Sequence, residues 1–265
     1  RIMLEVKNIT KTFNAGTVNE KVALNDLSLT IKDGEFVTVI GGNGAGKSTL
    51  LNAVCGTWKV DCGEILIDGV NVTKMPDYKR AKFLGRVFQD PMMGTAADME
   101  IEENLALAFR RGKHRGLKSG ITSEEREYYK KLLKELDLGL ETRLKTKIGL
   151  LSGGQRQTIT LLMAAMKNPK LLLLDEHTAA LDPKTAAKVL DITQKIVTEN
   201  KLTTLMITHN MKDAIKYGDR LIMLYDGRVA FDVSGEEKKN LTVEQLLELF
   251  SKAKIDFSSD RAILS

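Results

Sequence analysis

Apolar and polar residues alternate from Met3 to Ile9, the pattern of a strand with one buried face. Thr10-Lys11-Thr12-Phe13-Asn14 leaves that strand with a single aromatic. The alternation returns from Val22 to Ile31, and Lys32-Asp33-Gly34-Glu35 is a turn. Phe36-Val37-Thr38-Val39-Ile40 is a short β-branched and aromatic run, which predicts a buried strand. A helix is expected from Ser48 to Val54, and then a strand, Glu64-Ile65-Leu66-Ile67, turned by Asp68-Gly69.

From about Asp77 to Gly154 the texture is helical. Thr122-Ser123-Glu124-Glu125 has the form of a capping box, with Thr122 as N-cap and Glu125 reaching back. Tyr129, Leu132, Leu133 and Leu136 recur at helical spacing, and Gly139 is the stop. From Leu171 the α/β texture returns. Leu171 to Leu174 is a fully apolar strand ending at Asp175-Glu176, and Asp182-Pro183 pairs an N-cap with proline at the first helical position. Leu190, Ile196 and Val197 line the buried face of that helix, and Thr203 to Thr208 and Arg220 to Tyr225 are two more short strands. Leu241 to Leu246 holds a second capping box with a Leu241/Leu246 staple, opening a helix to about Lys254; the tail after Ile255 is expected to be loose. Strands alternating with helices argue for an α/β fold with a mainly parallel sheet.

Composition narrows this little. A hydrophobic content of 43% with 28% charged residues is ordinary for a soluble globular chain. No apolar run approaches the about 20 residues needed to span a bilayer. The N-terminus shows no signal-peptide pattern; Met3 is read as the natural start, so Arg1 and Ile2 carry no weight. Cys55 and Cys62 lack the spacing of a zinc site or a disulfide framework, which suits free thiols in a reducing compartment. A net charge of +5 suits a membrane-surface, nucleic-acid or nucleotide partner and selects none.

The candidate chemistry begins at Gly41-Gly42-Asn43-Gly44-Ala45-Gly46-Lys47-Ser48-Thr49, which fits G-x-x-x-x-G-K-[ST]. A strand before it and a helix after it distinguish it from a glycine-rich hairpin with a chance lysine. Glycines let backbone N–H groups approach an anion closely, and the helix N-terminus adds about half a positive charge. Lys47 would reach the β- and γ-phosphates of a nucleotide, and the Ser48 hydroxyl would ligate Mg²⁺. Asp175, at the carboxyl end of an apolar strand, can hold Mg²⁺ directly or through water. Glu176 is placed to orient and deprotonate an attacking water. Taken alone, that segment also reads as a buried strand ending in solvated acids.

Leu151-Ser152-Gly153-Gly154-Gln155 then supplies a second anion-binding helix N-terminus, formed by Ser152, Gly153, Gly154 and Gln155. One ATP does not require two such sites from one chain, so this one is expected to serve the γ-phosphate of an ATP held by another copy. Here the sequence resembles the ABC ATPase family, whose signature motif is LSGGQ, and the resemblance runs from Met3 to about Gly235 with motifs in the family order. It implies a P-loop NTPase (RecA-like) core with an antiparallel β subdomain and an inserted α-helical subdomain. A single domain over 3–250 is expected: a β lobe with the P-loop core (3–76), the helical subdomain (77–154), the α/β core (155–235) and a C-terminal helix (236–254), with 255–265 loose.

The resemblance also implies residue roles. Phe13 matches the aromatic that stacks on adenine, against the reading of a core aromatic. Gln89, in Val87-Phe88-Gln89-Asp90-Pro91, matches the Q-loop glutamine that senses Mg²⁺ and water, against an exposed loop glutamine. Asp182, in Ala180-Leu181-Asp182, matches the D-loop facing the partner subunit. His209, in Ile207-Thr208-His209-Asn210, matches the switch histidine at the γ-phosphate, against a structural histidine. Three departures stand out: His177 where the family has proline, Ala179 where serine is common, and Thr158 where arginine is common. His177 is read first as a loop variant and second as a pH-sensitive element.

Function follows the same resemblance. The chain is expected to be an ATP-binding and ATP-hydrolysing subunit, with ATP and Mg²⁺ as cofactors, pairing head to tail with a second copy. It would drive separate integral membrane permease subunits from the cytoplasmic face of the membrane, most resembling bacterial import of the amino-acid type with a solute-binding protein. An exporter subunit, or a soluble ATPase of translation or DNA repair, stands as the alternative. The basic run from Arg110 to Lys118 reads as a solvated loop, as a contact for anionic headgroups or acidic permease loops, or, third, as a nucleic-acid contact. Without interleaved stacking aromatics, nucleic acid is not the expected partner.

Overall fold

The computed structural model describes residues 1–111 and 120–264. Residues 112–118 of the basic run lie outside them. Along the chain the elements are β1 (Ile2–Phe13), β2 (Lys21–Lys32), β3 (Phe36–Ile40), α1 (Lys47–Cys55), β4 (Cys62–Ile67), β5 (Val70–Asn71), α2 (Asp77–Arg80) and β6 (Leu84–Val87). There follow α3 (Ile101–Arg110), α4 (Ser123–Glu135), α5 (Gly153–Met166), β7 (Leu171–Asp175), α6 (Pro183–Glu199) and β8 (Thr204–Ile207). The chain finishes with α7 (Met211–Lys216), β9 (Arg220–Tyr225), β10 (Arg228–Ser234), α8 (Gly235–Lys239) and α9 (Val243–Leu264). These divide into two compact units: Arg1–Leu84 with Lys170–Glu176 and Lys201–Ser265, and Gly85–Pro169 with His177–Asn200. The α/β core expected over 155–235 is thus split between them, because α5 and α6 pack on each other.

The first unit holds two sheets. One is antiparallel, ordered β2-β1-β4-β5. In the other, the strands of this unit run β10-β9-β3-β8-β7, with β9, β3, β8 and β7 mutually parallel and β10 antiparallel at the edge. All five side chains of β3 are buried, as a strand inside a parallel sheet requires. One apolar cluster joins Leu4, Val6 and Leu24 of the first sheet, Leu50, Leu51 and Val54 of α1, and Val37, Val39, Leu173, Leu205 and Ile207 of the second. Burying each such side chain stabilises by about 1.5–3 kcal/mol, so α1 is held by both sheets. The edge strand β10 is additional to the expected strands, although Val229, Phe231 and Val233 alternate through it.

A second cluster gathers Ile40, Ala214, Met223, Val233 and Leu246, with Leu241, Leu249 and Phe250 packed against it. It seats α9, whose start is the expected box: Gln245 N–H donates to Thr242 Oγ1 at 3.2 Å, and Thr242 N–H to Gln245 Oε1 at 3.0 Å. The expected loose tail is corrected, since α9 continues to Leu264. Phe257 stacks on Tyr225 with centroids 5.4 Å apart, and Asp260 lies 3.9 Å from Arg228. Those contacts hold a segment whose composition alone would not hold a helix.

In the second unit, α3, α4, α5 and α6 bury Ile101, Leu105, Tyr129, Leu133, Ile159 and Val189. Thr122 caps α4, accepting from the Glu125 N–H at 3.1 Å. The reciprocal half of that box is absent. The Glu125 carboxylate goes instead to Arg110, at 3.0 and 2.8 Å, and accepts from the Tyr129 hydroxyl at 3.1 Å. A buried guanidinium is a stronger partner for a carboxylate than a backbone N–H is.

Candidate functional site

Residues 41–46 join β3 to α1 and form the candidate phosphate loop. Gly46 has φ +105° and Gly44 φ +78°, where side chains are strained. A Cβ on Gly41 would meet the Leu224 carbonyl oxygen at 2.6 Å, and one on Gly46 the Ala23 carbonyl oxygen at 2.7 Å. The loop is therefore pressed onto β9 and β2 and its conformation is fixed. Lys47 opens α1 yet is only 8% exposed. Its ammonium donates to the Gly41 carbonyl at 2.5 Å and lies 3.9 Å from Glu176 Oε1. Burial lowers its pKa, opposed by the charges of Glu176 and Asp175. Asn43, Gly44 and Ser48 are exposed, Gly41, Gly42 and Thr49 half-buried, and Ala45 buried.

Three parallel strands in the order β3-β8-β7 deliver the rest of this cluster from their carboxyl ends. β3 ends in the loop, β7 in Asp175-Glu176, and β8 is followed by His209. The carboxyl edge of a parallel sheet is where open α/β folds take ligands. Glu176 adopts φ +47°, uncommon outside glycine, and its N–H donates to the Ile207 carbonyl at 3.0 Å. That turn directs its carboxylate between Lys47 and His209, whose Nδ1 is 3.8 Å from Glu176 Oε2. The His209 side chain is 65% exposed, so it is not a structural histidine of the core. Phe13 ends β1 half-buried, edge-on to Trp58 at 5.3 Å, with the Lys11 ammonium 5.3 Å from its ring centre.

The residues of this unit expected to ligate a divalent cation are Ser48, which is exposed, and Asp175, which is half-buried. Among the described residues no group of three His, Cys, Asp or Glu side chains is arranged around one point. A hard cation that keeps water and phosphate oxygens as ligands fits such a sparse oxygen set; a caged transition metal does not.

The remaining expected site residues lie in the second unit. Gln89 is exposed. Ser152 caps α5 in a full capping box, a second role for Ser152 and Gln155 beside the anion site expected of them. Ser152 Oγ accepts from the Gln155 N–H at 3.2 Å, and Gln155 Oε1 accepts from the Ser152 N–H at 3.1 Å. The cap uses the serine oxygen as acceptor and leaves its proton to donate outward. Gly153 is exposed, whereas Gly154 is buried with Thr185 Cγ2 only 2.3 Å from where a Cβ would stand. Asp182 caps α6 as expected, accepting from the Thr185 N–H at 3.1 Å and hydroxyl at 2.6 Å, and these bonds lower its pKa.

Two of the three departures are structural. Thr158 is buried, and its hydroxyl donates to the Gly154 carbonyl at 2.9 Å within α5. His177 is 1% exposed and lies 3.0 Å from Thr193 Oγ1 of α6. Burial lowers its pKa to about 4, so it is neutral near neutral pH, which argues against the pH-sensitive reading; His177 lies in the turn after β7, a loop position as expected, with its side chain buried.

Residues 24–179 match the model of the family described as ABC transporter. The chain is 48% identical over 251 residues to a tyrosine transport ATP-binding protein of Clostridioides difficile, covering 95% of this chain and all of that protein. It is 33% identical to the energy-coupling factor transporter ATP-binding protein EcfA2 of Clostridium acetobutylicum, over 97% of this chain and 92% of that one. Among solved structures it resembles a dimeric Methanocaldococcus jannaschii ATP-binding cassette in a post-hydrolysis state bound to ADP and Pi. The TM-score is 0.72 and the identity 34%, over 88% of this chain and 98% of that one.

Proposed function

The chain belongs to the ABC transporter family of ATP-binding proteins, and from that membership we propose that it drives import of an amino-acid-type solute through separate permease subunits. It is an ABC-type ATPase. The observation that carries the mechanism is the convergence of Lys47, Glu176 and His209 at the carboxyl ends of three adjacent parallel strands. The amino-acid assignment is supported by the full-length likeness to a tyrosine transport ATP-binding protein.

The phosphate loop binds the ATP phosphates through its backbone N–H groups and the N-terminal end of α1. Lys47 exchanges the Gly41 carbonyl for the β- and γ-phosphates, a favourable exchange because an ammonium held in a low-dielectric site is better partnered by an anion. Glu176 takes a proton from the attacking water, and His209 holds the γ-phosphate beside it. Phe13 stacks on the adenine. Ser48 and Asp175, with Gln89, would hold Mg²⁺, which supplies neutralisation of charge on the phosphate oxygens. A second copy adds Ser152, Gly153, Gly154 and Gln155, with Asp182 at the dimer face, and the outward Ser152 hydroxyl donates to the γ-phosphate. Closure of two copies on ATP and reopening after hydrolysis move the permeases at the cytoplasmic face of the membrane, where a solute-binding protein delivers cargo on the other side. No helix among the described residues is long and apolar enough to cross a membrane.

Glu176→Gln tests this. Phosphate release should fall by about 10²–10⁴, with ATP binding retained and a dimer accumulating in ATP. Undiminished hydrolysis would reject Glu176 as the base. Purification of the chain with ribosomes or DNA, and with no membrane protein, would reject the transporter role.

A further inference from the structure

The second unit contains a polar junction that the mechanism above does not use. Gln157 sits in the second turn of α5, fully buried. Its amide nitrogen donates both protons to main-chain carbonyls: Phe88 at 2.7 Å, immediately before Gln89, and His177 at 2.6 Å, immediately after Glu176. Its carbonyl oxygen is buried and accepts from no described residue, so the two donations alone set its orientation. Arg156 beside it donates to Thr95 Oγ1 at 2.9 Å and to the Met92 carbonyl at 3.2 Å, fastening the same turn to the segment that follows Gln89.

His177 is fastened a second time. The single proton of the Thr193 hydroxyl is donated to the Val189 carbonyl at 2.7 Å. Thr193 Oγ1 is therefore an acceptor towards the ring, and His177 Nε2 carries the proton it donates at 3.0 Å. The main chain leaving Glu176 is thus tied to α5 through the His177 carbonyl and to α6 through the His177 ring. A proline here would keep the carbonyl tie and lose the ring tie.

We propose that Gln157 and His177 are positioning residues for hydrolysis, coupling the first turns of α5, which carry Ser152 to Gln155, to the main chain on either side of the reacting groups Gln89 and Glu176. Movement of the signature turn is then passed to the exit of the catalytic base through two hydrogen-bonded carbonyls and one imidazole. This rests on the assignment of Glu176 as the base. Misplacing a catalytic group by about 1 Å is enough to lower turnover by about 10²-fold.

The test uses the full chain and compares His177→Leu, His177→Gln and Gln157→Met in ATP hydrolysis, with the thermal midpoint measured in parallel. Glutamine places a donor nitrogen the same number of bonds from Cβ as histidine Nε2, whereas leucine keeps bulk without a donor. His177→Leu and Gln157→Met should lower kcat by about tenfold or more with KM for ATP within about twofold, the signature of a lost transition-state arrangement. His177→Gln should recover kcat to within about threefold. Where His177→Leu reduces the folded yield, Thr193→Val removes the same acceptor with little change of shape and should give the same split. Unchanged kcat in the leucine and methionine variants, a loss that glutamine fails to rescue, or a parallel rise in KM overturns the proposal. Full turnover in Glu176→Gln would instead strike the assignment of the base.

Discussion

The Arg110–Glu125 pair is a point at which a small substitution should have a large and calculable effect. Arg110 and Glu125 side chains are 8% and 10% exposed and form two direct hydrogen bonds, with the Tyr129 hydroxyl on the same carboxylate. Glu125→Gln leaves shape intact but removes the charge opposite a largely buried guanidinium, whose Gly120 carbonyl contact at 3.2 Å cannot replace it. Charge-assisted bonds of this kind are each worth about 1.5–3 kcal/mol, and breaking a buried pair from one side exceeds the value of the pair itself. The residual 10% exposure of the Glu125 side chain argues for the lower end, about 2–3 kcal/mol of unfolding free energy. That corresponds to a fall of about 5–10 °C in the thermal midpoint. Removing both charges, as Arg110→Met with Glu125→Leu, should recover most of the loss, since apolar replacement spares both desolvation penalties. The Arg110 guanidinium holds the Glu125 carboxyl below its ordinary value of 4.5. The folded state therefore binds that proton less readily than the unfolded one. The pair's contribution is complete above pH 4.5 and is lost as pH falls through the depressed folded value. Urea and thermal unfolding followed by far-ultraviolet circular dichroism at neutral and acid pH read all of this. A single variant as stable as the parent, or a double variant worse than either single one, would refute the reasoning.

Gly46→Ala combines a backbone at φ +105° with a Cβ placed 2.7 Å from the Ala23 carbonyl oxygen, so the loop must shift; nucleotide affinity should fall by about 5–150-fold in equilibrium titration, given strain of about 1–3 kcal/mol at such a residue. Gly154→Ala drives a methyl group to 2.3 Å from Thr185 Cγ2 and should separate α5 from α6, lowering stability by about 1–3 kcal/mol in urea unfolding and reducing turnover with it.

Those parts of the site that are contiguous in the chain are legible in the sequence alone. The glycine-rich loop, Asp175-Glu176 and the stretch from Leu151 to Gln155 each present candidate chemistry because strand, turn and helix start are adjacent in sequence, and the Asp182 and Thr242 caps are equally local. What stays hidden is set by distance along the chain. Nothing near Glu125 says that Arg110 will displace it from its capping box, and nothing near His177 says that Thr193 will receive its ring. Gln157 looks like one more polar residue on a helix until Phe88 and His177 arrive from elsewhere. The extension of α9 belongs to the same class, since Phe257 holds it by stacking on Tyr225, a residue of a distant strand. The capping box at Ser152 and the alternation in β10 are local signals, and the sequence carries both.

The packing of α9 also bears on how the protein is handled in the laboratory. A Cβ on Gly42 would meet the Phe250 ring at 3.2 Å, and Phe257 and Ser258 border the same recess as Gly42, Asn43 and Gly44. Sequence-distant as they are, the last helix and the nucleotide loop are neighbours. A chain cut at Lys254 would remove Phe257 and Ser258 from that recess, and its effect on turnover would be mistaken for intrinsic enzymology. Conversely, a fluorophore carried at the exposed Ser258, with the exposed Cys62 replaced, would sit where it can register nucleotide arrival without touching a reacting group.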